Sequence, residues 1–232
     1  LRFILKYANG KVTGECLSVF SRKFLLAFVA ALLVGMSTYS QASNNALADF
    51  LLRLKQLQSL ESTFVQTTRD TSGRILQQMS GSLTVAKPGK MRWQTNAPFE
   101  QLVVSDGKLI WIYDMDLEQV TIRDMDQRVQ ETPALLLSGS AVDVEKSFVV
   151  EQEVAGSETI FQLVPKDPSQ LFESLEFHYQ GKSLKRMMIF DAAGQVTEII
   201  FSDASINSSV DPAAFIFDVP EGVDVIDGRH GI

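Results

Sequence analysis

The sequence predicts a mainly β protein: a long antiparallel meander opened by one amphipathic helix and interrupted mid-sheet by a second, short apolar helix. Three observations predict it. Turn dipeptides recur at close intervals, as Ser72-Gly73, Pro88-Gly89, Asp106-Gly107, Gly156-Ser157, Gly181-Lys182 and Ala193-Gly194. The runs between them are short and rich in β-branched and aromatic residues. Helical periodicity or capping signals mark only two stretches after the first forty residues.

At the N-terminus, Ser21, Arg22 and Lys23 precede a 13-residue apolar run from Phe24 to Met36. That run is too short to span a bilayer, and Ser40-Gln41-Ala42 after it has the small-x-small form that signal peptidase accepts. Residues 1–42 are therefore expected to be a secretory leader, with residues 1 to about 20 an over-extended start, and residues 43–232 a single domain. From Asn45 to Gln58, Leu47, Phe50, Leu51, Leu54 and Leu57 fall at helical spacing, with Ser43, Asn44 or Asn45 as N-cap. Strand-like runs follow at Ser82–Ala86, Met91–Thr95, Gln101–Val104, Leu109–Tyr113, Gln119–Arg123, Phe148–Val154, Thr159–Val164, Leu175–Tyr179, Leu184–Phe190 and Val196–Phe201. Pro133 to Leu137 has a proline placed to start a helix and a glycine, Gly139, placed to stop it.

Several runs are apolar on both faces. Leu109, Trp111 and Tyr113 oppose Ile110 and Ile112, and Met187 and Ile189 oppose Met188 and Phe190. A sheet with one solvated face alternates more cleanly. Either a sandwich or barrel core carries a helix on its other face, or the sheet curves around a ligand cavity lined by Met and aromatics. Periodicity leaves both open.

Without residues 1–42, Lys+Arg falls from 21 to 16 and Asp+Glu from 28 to 27, a formal net charge of −11. Such a field opposes nucleic-acid binding and docking on anionic membrane surfaces. The one cysteine, Cys16, lies in the expected leader, so the exported chain is expected to carry no disulfide and no thiol chemistry. Residues 37–50 hold no cysteine to accept a lipid anchor. No catalytic residues, cofactor or metal are expected. There is no Gly-x-Ser-x-Gly elbow, no Cys/His metal spacing and no phosphate-binding loop. His178 and His230 have no evident partner set, and His178 is expected to face water or a hydrogen bond. Asp114-Met115-Asp116-Leu117-Glu118 reads as a solvated hairpin connection, lacking the glycine and remaining ligands of a calcium loop, and Asp124 with Asp126 repeats that pattern.

An ordered set of motifs carries a resemblance: Lys87-Pro88-Gly89-Lys90-Met91-Arg92-Trp93, Pro98, Gln101, Val104-Ser105-Asp106-Gly107-Lys108, Trp111-Ile112-Tyr113, Glu118-Gln119 and Thr132-Pro133. Phe64-Val65-Gln66-Thr67 and Ala213-Ala214-Phe215-Ile216-Phe217 with Pro220-Glu221-Gly222-Val223 extend it to both ends. The set resembles the LolA family of periplasmic outer-membrane lipoprotein carriers.

The resemblance implies an unclosed antiparallel β-barrel, a curved sheet with a lid of short α-helices, around a cavity for lipoprotein acyl chains. It implies a cavity made by Met91, Trp93, Phe64, Leu102, Val104, Trp111, Tyr113, Leu135 and Leu136, with Thr132 to Ser138 in a lid helix and Lys87 as a lid latch. Family members commonly have arginine at the Lys87 position, and lysine offers a point charge where arginine offers a planar fork. The partners implied are outer-membrane-directed lipoproteins, an inner-membrane ABC-type release complex and an outer-membrane receptor lipoprotein, for a periplasmic monomer that does not insert stably in the membrane. The competing expectation is a periplasmic enzyme or small hydrophobic-ligand binder on a lipocalin-like barrel.

Overall fold

A computed structural model of the chain describes residues 37–125, 133–138 and 144–229. The apolar run Phe24–Met36, Cys16, Asp126, Thr132, Gly139 and His230 lie outside the described residues. Helix α1 spans Ser37–Gln56. It runs through the expected cap residues Ser43 to Asn45, since Ser37 to Ala42 contains no glycine or proline to break it. It stops short of Gln58, whose backbone N–H donates instead to Asn207 Oδ1 at 2.7 Å.

Among the described residues twelve strands follow: β1 Ser59–Arg69, β2 Ile75–Ala86, β3 Lys90–Thr95, β4 Gln101–Asp106, β5 Leu109–Asp114, β6 Gln119–Asp124, β7 Phe148–Ala155, β8 Glu158–Pro165, β9 Phe172–Gln180, β10 Ser183–Asp191, β11 Val196–Ile206 and β12 Asp224–Asp227. Every run delimited from the sequence falls inside one of them. Strands β1 and β12 were not delimited, and β2 begins well before Ser82. The mid-sheet helix is a 3-10 segment, Pro133–Ser138, and a one-turn helix α2, Val144–Ser147, leads into β7. A further 3-10 turn, Pro212–Phe215, starts where Asp211 Oδ1 accepts from Ala213 N at 2.9 Å.

The strands form one sheet in the order β12-β6-β5-β4-β3-β2-β1-β11-β10-β9-β8-β7. Pairing is antiparallel throughout except for β12, which lies parallel to β6. The terminal strands β12 and β7 are not paired with each other, so the barrel is unclosed. Register shifts at Glu61/Thr63, Thr68/Arg69 and Leu184/Arg186 mark bulges, which bend a sheet by leaving one residue unpaired. Among the described residues no helix is long and apolar enough to cross a membrane.

One face of the sheet carries the core. Phe161, Leu163, Leu175, Phe177, Met187 and Phe201 project from its C-terminal half, and Ala46, Phe50 and Leu54 of α1 are buried in the same apolar cluster. Phe50 sits 5.2 Å, centroid to centroid, from both Phe161 and Phe177. Helix α1 is the second layer that this curved face requires.

Candidate functional site

The register of the sheet decides which side chains meet. Val85 pairs with Met91 and Leu83 with Trp93 across β2 and β3, and Phe64 pairs with Gly81 across β1 and β2. Directly opposed residues share a face, so Phe64, Leu83, Val85, Met91 and Trp93 all project from the inner face into the buried apolar cluster. The rings of Phe64 and Trp93 lie 4.1 Å apart. Gly81 makes room for them: a Cβ there would stand 2.7 Å from Phe64 Cζ and 2.0 Å from the Gln94 carbonyl oxygen. Leu135 and Leu136 of the 3-10 segment are buried in the same cluster.

Four expected wall residues are elsewhere. Met91 pairs with Ser105 and Trp93 with Val103, so Val103 faces that cluster while Leu102 and Val104 face away. Across the next hairpin Leu102 pairs with Tyr113 and Val104 with Trp111, which puts both aromatics on the outer face as well. There they build a second apolar layer. The chain after β11 covers it, with Phe217 6.3 Å from Trp111 and 6.0 Å from Tyr113, and buried Phe215 beneath Lys90 Nζ, 5.9 Å from the ring centroid. On the inner face their places are taken by Val103, Ile110 and Ile112. The double-sided apolar character of Leu109–Tyr113 follows, since α1 and the 3-10 segment cover one side and the C-terminal segment the other.

Lys87 ends β2's excursion beside α1. Its Nζ donates to the Leu54 carbonyl in the last turn of α1, a carbonyl that also accepts from Leu57 N at 3.2 Å. A cation is favoured at that helix end. Burial lowers the amine below its ordinary value of 10.5. The next residues hold the second helical piece: Gly89 N donates to the Ser138 carbonyl at 3.0 Å, and Ser105 Oγ donates to the Gly89 carbonyl at 2.9 Å. Gly89 has φ of +71°, and a Cβ there would lie 2.9 Å from Gly107 Cα.

Arg53, which drew no attention in the sequence, faces the other flank of α1. Its Nη1 donates to the Gly181 carbonyl at 2.7 Å, and its guanidinium lies 5.3 Å from the Phe161 ring centroid and 5.0 Å from that of Tyr179. Asp49 Oδ2 is 3.6 Å from Arg53 Nε and accepts from Gln152 Nε2 at 3.1 Å, tying α1 to β7. Burial raises the Tyr179 phenol far above its ordinary value, so the group beside Arg53 stays neutral. The only hint in the sequence was an i, i+4 Asp-Arg pair on a helix, a common surface feature.

His178 does have partners. It is buried on the outer face, with Nε2 2.9 Å from Glu176 Oε2 and Nδ1 3.1 Å from Glu158 Oε1 and 3.0 Å from Arg186 Nη2. Among the described residues no nucleophile completes this set, a polar network in which the buried Arg186 Nε makes no hydrogen bond. Among the described residues no group of three His, Cys, Asp or Glu side chains could hold a metal ion. Asp114 to Glu118 is a hairpin connection, with Asp114 Oδ1 accepting from Leu117 N at 3.0 Å.

Fold and site together define a class: an open β-barrel whose apolar inner face is covered by helical segments of its own chain. Residues 55–218 match the family described as "Outer membrane lipoprotein carrier protein LolA". The chain is 42% identical over 199 residues to an outer-membrane lipoprotein carrier protein of Pseudomonas aeruginosa, covering 86% of this chain and 96% of that one. It is 40% identical over 205 residues to the protein of that name from Azotobacter vinelandii, covering 88% and 99%. A solved LolA superfamily protein from Nitrosomonas europaea, 11% identical, aligns with a TM-score of 0.44 over 73% of this chain and 97% of that one. The chain belongs to the LolA family of outer-membrane lipoprotein carriers.

Proposed function

We propose that this protein is a periplasmic chaperone that shields the acyl chains of lipoproteins in its hollow and carries them towards the outer membrane. The observation that carries the reading is a continuous apolar inner face covered by helical pieces, α1 and Pro133–Ser138, which can lift without unpairing a strand. In this reading Met91, Trp93, Phe64, Val103, Ile110 and Ile112 contact acyl chains, Leu135 and Leu136 belong to the lid, and Lys87 latches it. The outer-face residues Leu102, Val104, Trp111 and Tyr113 take no part. The working protein is residues 43–232, a monomer freed of its leader. Cargo comes from an inner-membrane ABC-type release complex and passes to an outer-membrane receptor lipoprotein.

Energetics support the need for partners. About three acyl chains of roughly 15 methylenes, at ~0.8 kcal/mol each, would release ~36 kcal/mol on leaving water, beyond the ~18–21 kcal/mol ceiling of non-covalent affinity. The proper reference is therefore the bilayer, and a partner supplies the work of extraction. Native mass spectrometry of protein purified from periplasm, followed by lipid extraction, tests the reading. Lipoprotein cargo is expected; a small metabolite instead would favour a lipocalin-like ligand binder.

A further inference from the structure

A carrier of acylated proteins must bury the lipid while leaving the attached polypeptide in water. Somewhere its wall must be apolar on the inside, polar on the rim and open. A cavity of about 470 Å³ with these properties lies between α1, the start of β1 and the β9–β10 hairpin. Its apolar lining includes Leu57, Leu60, Leu184 and Ile206, and its polar rim Asp49, Gln56, Lys182 and Asn207. Leu60, Leu184 and Tyr179, which also lines it, belong to the main apolar core, so the cavity borders the interior of the barrel. Its volume falls within the range of about 300–1,000 Å³ usual for small-molecule sites.

We propose that this cavity is the port at which the polar junction of the cargo, the ester and amide groups joining acyl chains to polypeptide, sits while the chains lie under α1. The inference rests on the carrier reading above. The rim suits such a junction: Arg53 and Lys182 offer donors to ester and amide carbonyls, and Asp49 and Gln56 offer acceptors to peptide N–H groups. The Arg53 guanidinium, beside Phe161 and Tyr179 and bonded to the Gly181 carbonyl, lies where the cavity borders the core. One of its nitrogens, Nε, is buried and makes no hydrogen bond, although Asp49 lies within ion-pair distance. A cargo carbonyl entering there would replace the Gly181 carbonyl as acceptor, so the port opens in exchange for a bond of the same kind. Arg53 holds α1 from one flank while Lys87 holds Leu54 from the other.

Site-specific photocrosslinking in the full chain tests the port. A benzophenone amino acid is placed at Gln56 or Lys182, both exposed rim positions, and as controls at Leu117 and Leu171, which are 68% and 70% exposed on loops away from the cavity. Carrier loaded with a lipoprotein, verified by co-purification, is irradiated. Crosslinks to the cargo polypeptide at positions 56 and 182, at least tenfold above those at 117 and 171, are expected. Retained cargo with no crosslink at 56 and 182, or with equal crosslinking at all four, overturns the port and leaves the carrier reading standing. Failure of any lipoprotein to co-purify overturns the carrier reading and the port with it. Arg53→Gln gives an independent readout: it should shorten the half-life of bound cargo severalfold while crosslinking at 182 persists, and an unchanged half-life removes Arg53 from the port.

Discussion

Replacing Lys87 by leucine removes the one side-chain donor that the structure places on the Leu54 carbonyl of α1. A hydrogen bond from a charged group contributes about 1.5–3 kcal/mol. Two features of this site place the value at the lower end. The Leu54 carbonyl also accepts from Leu57 N at 3.2 Å, so the substitution leaves no orphan acceptor, and burial of the charged amine already costs part of what the bond returns. About 1.5 kcal/mol corresponds to roughly a tenfold shift towards the lid-open form. Hydrogen exchange of α1 backbone amides should accelerate by that factor in Lys87→Leu, while exchange in β3 stays unchanged. A carrier that favours the open, cargo-holding state should retain lipoprotein longer and pass it more slowly to the receptor. Lys87→Arg, which restores a donor, should return both readouts towards wild type. If α1 exchange and hand-off in Lys87→Leu match wild type, Lys87 is a strand-end lysine whose contact carries no latch.

Met91→Glu puts a carboxylate where no side-chain surface is exposed and no cation is paired, so cargo co-purification should be lost and the melting temperature should fall. The two faces separate by mutation: Trp93→Ala should reduce both stability and loading. Trp111→Ala, which forfeits an outer-face aromatic contact worth about 0.5–1.5 kcal/mol, should lower the melting temperature and leave loading at the wild-type level. Gly81→Ala forces Phe64 off Trp93, and near-ultraviolet circular dichroism should lose the signal of that pair. Because burial lowers the Lys87 pKa, the closed form binds fewer protons than the open form just below 10.5. Closure should therefore strengthen as pH rises through that window and be insensitive to pH well below it, as read from the melting temperature of wild type against Lys87→Leu.

The elements were legible because their signals are local. Glycines at the turns after Ser72, Pro88 and Asp106 have positive φ, and such turns punctuate a meander whatever it packs against. Strand β1 carries a weak local signal because Ser59–Arg69 intersperses Glu, Ser, Thr and Gln on both faces among few buried apolar residues, so its alternation is faint without the partner strands. The wall shows the limit more sharply. The turn at Gly107-Lys108 is two residues long and locks Leu102 to Tyr113 and Val104 to Trp111, so the sequence could place those four on one common face, as they are. The connection from Thr95 to Gln101 is longer and carries no such rule, and the face of β4 relative to Met91 and Trp93 depended on it. A one-residue change of register exchanges the faces of a whole strand. Only the tertiary structure, with α1 over one side and Phe215 and Phe217 over the other, decided which apolar row forms the inner face. It alone also brought Arg53 to Gly181, 128 residues away, a meeting that no local pattern encodes.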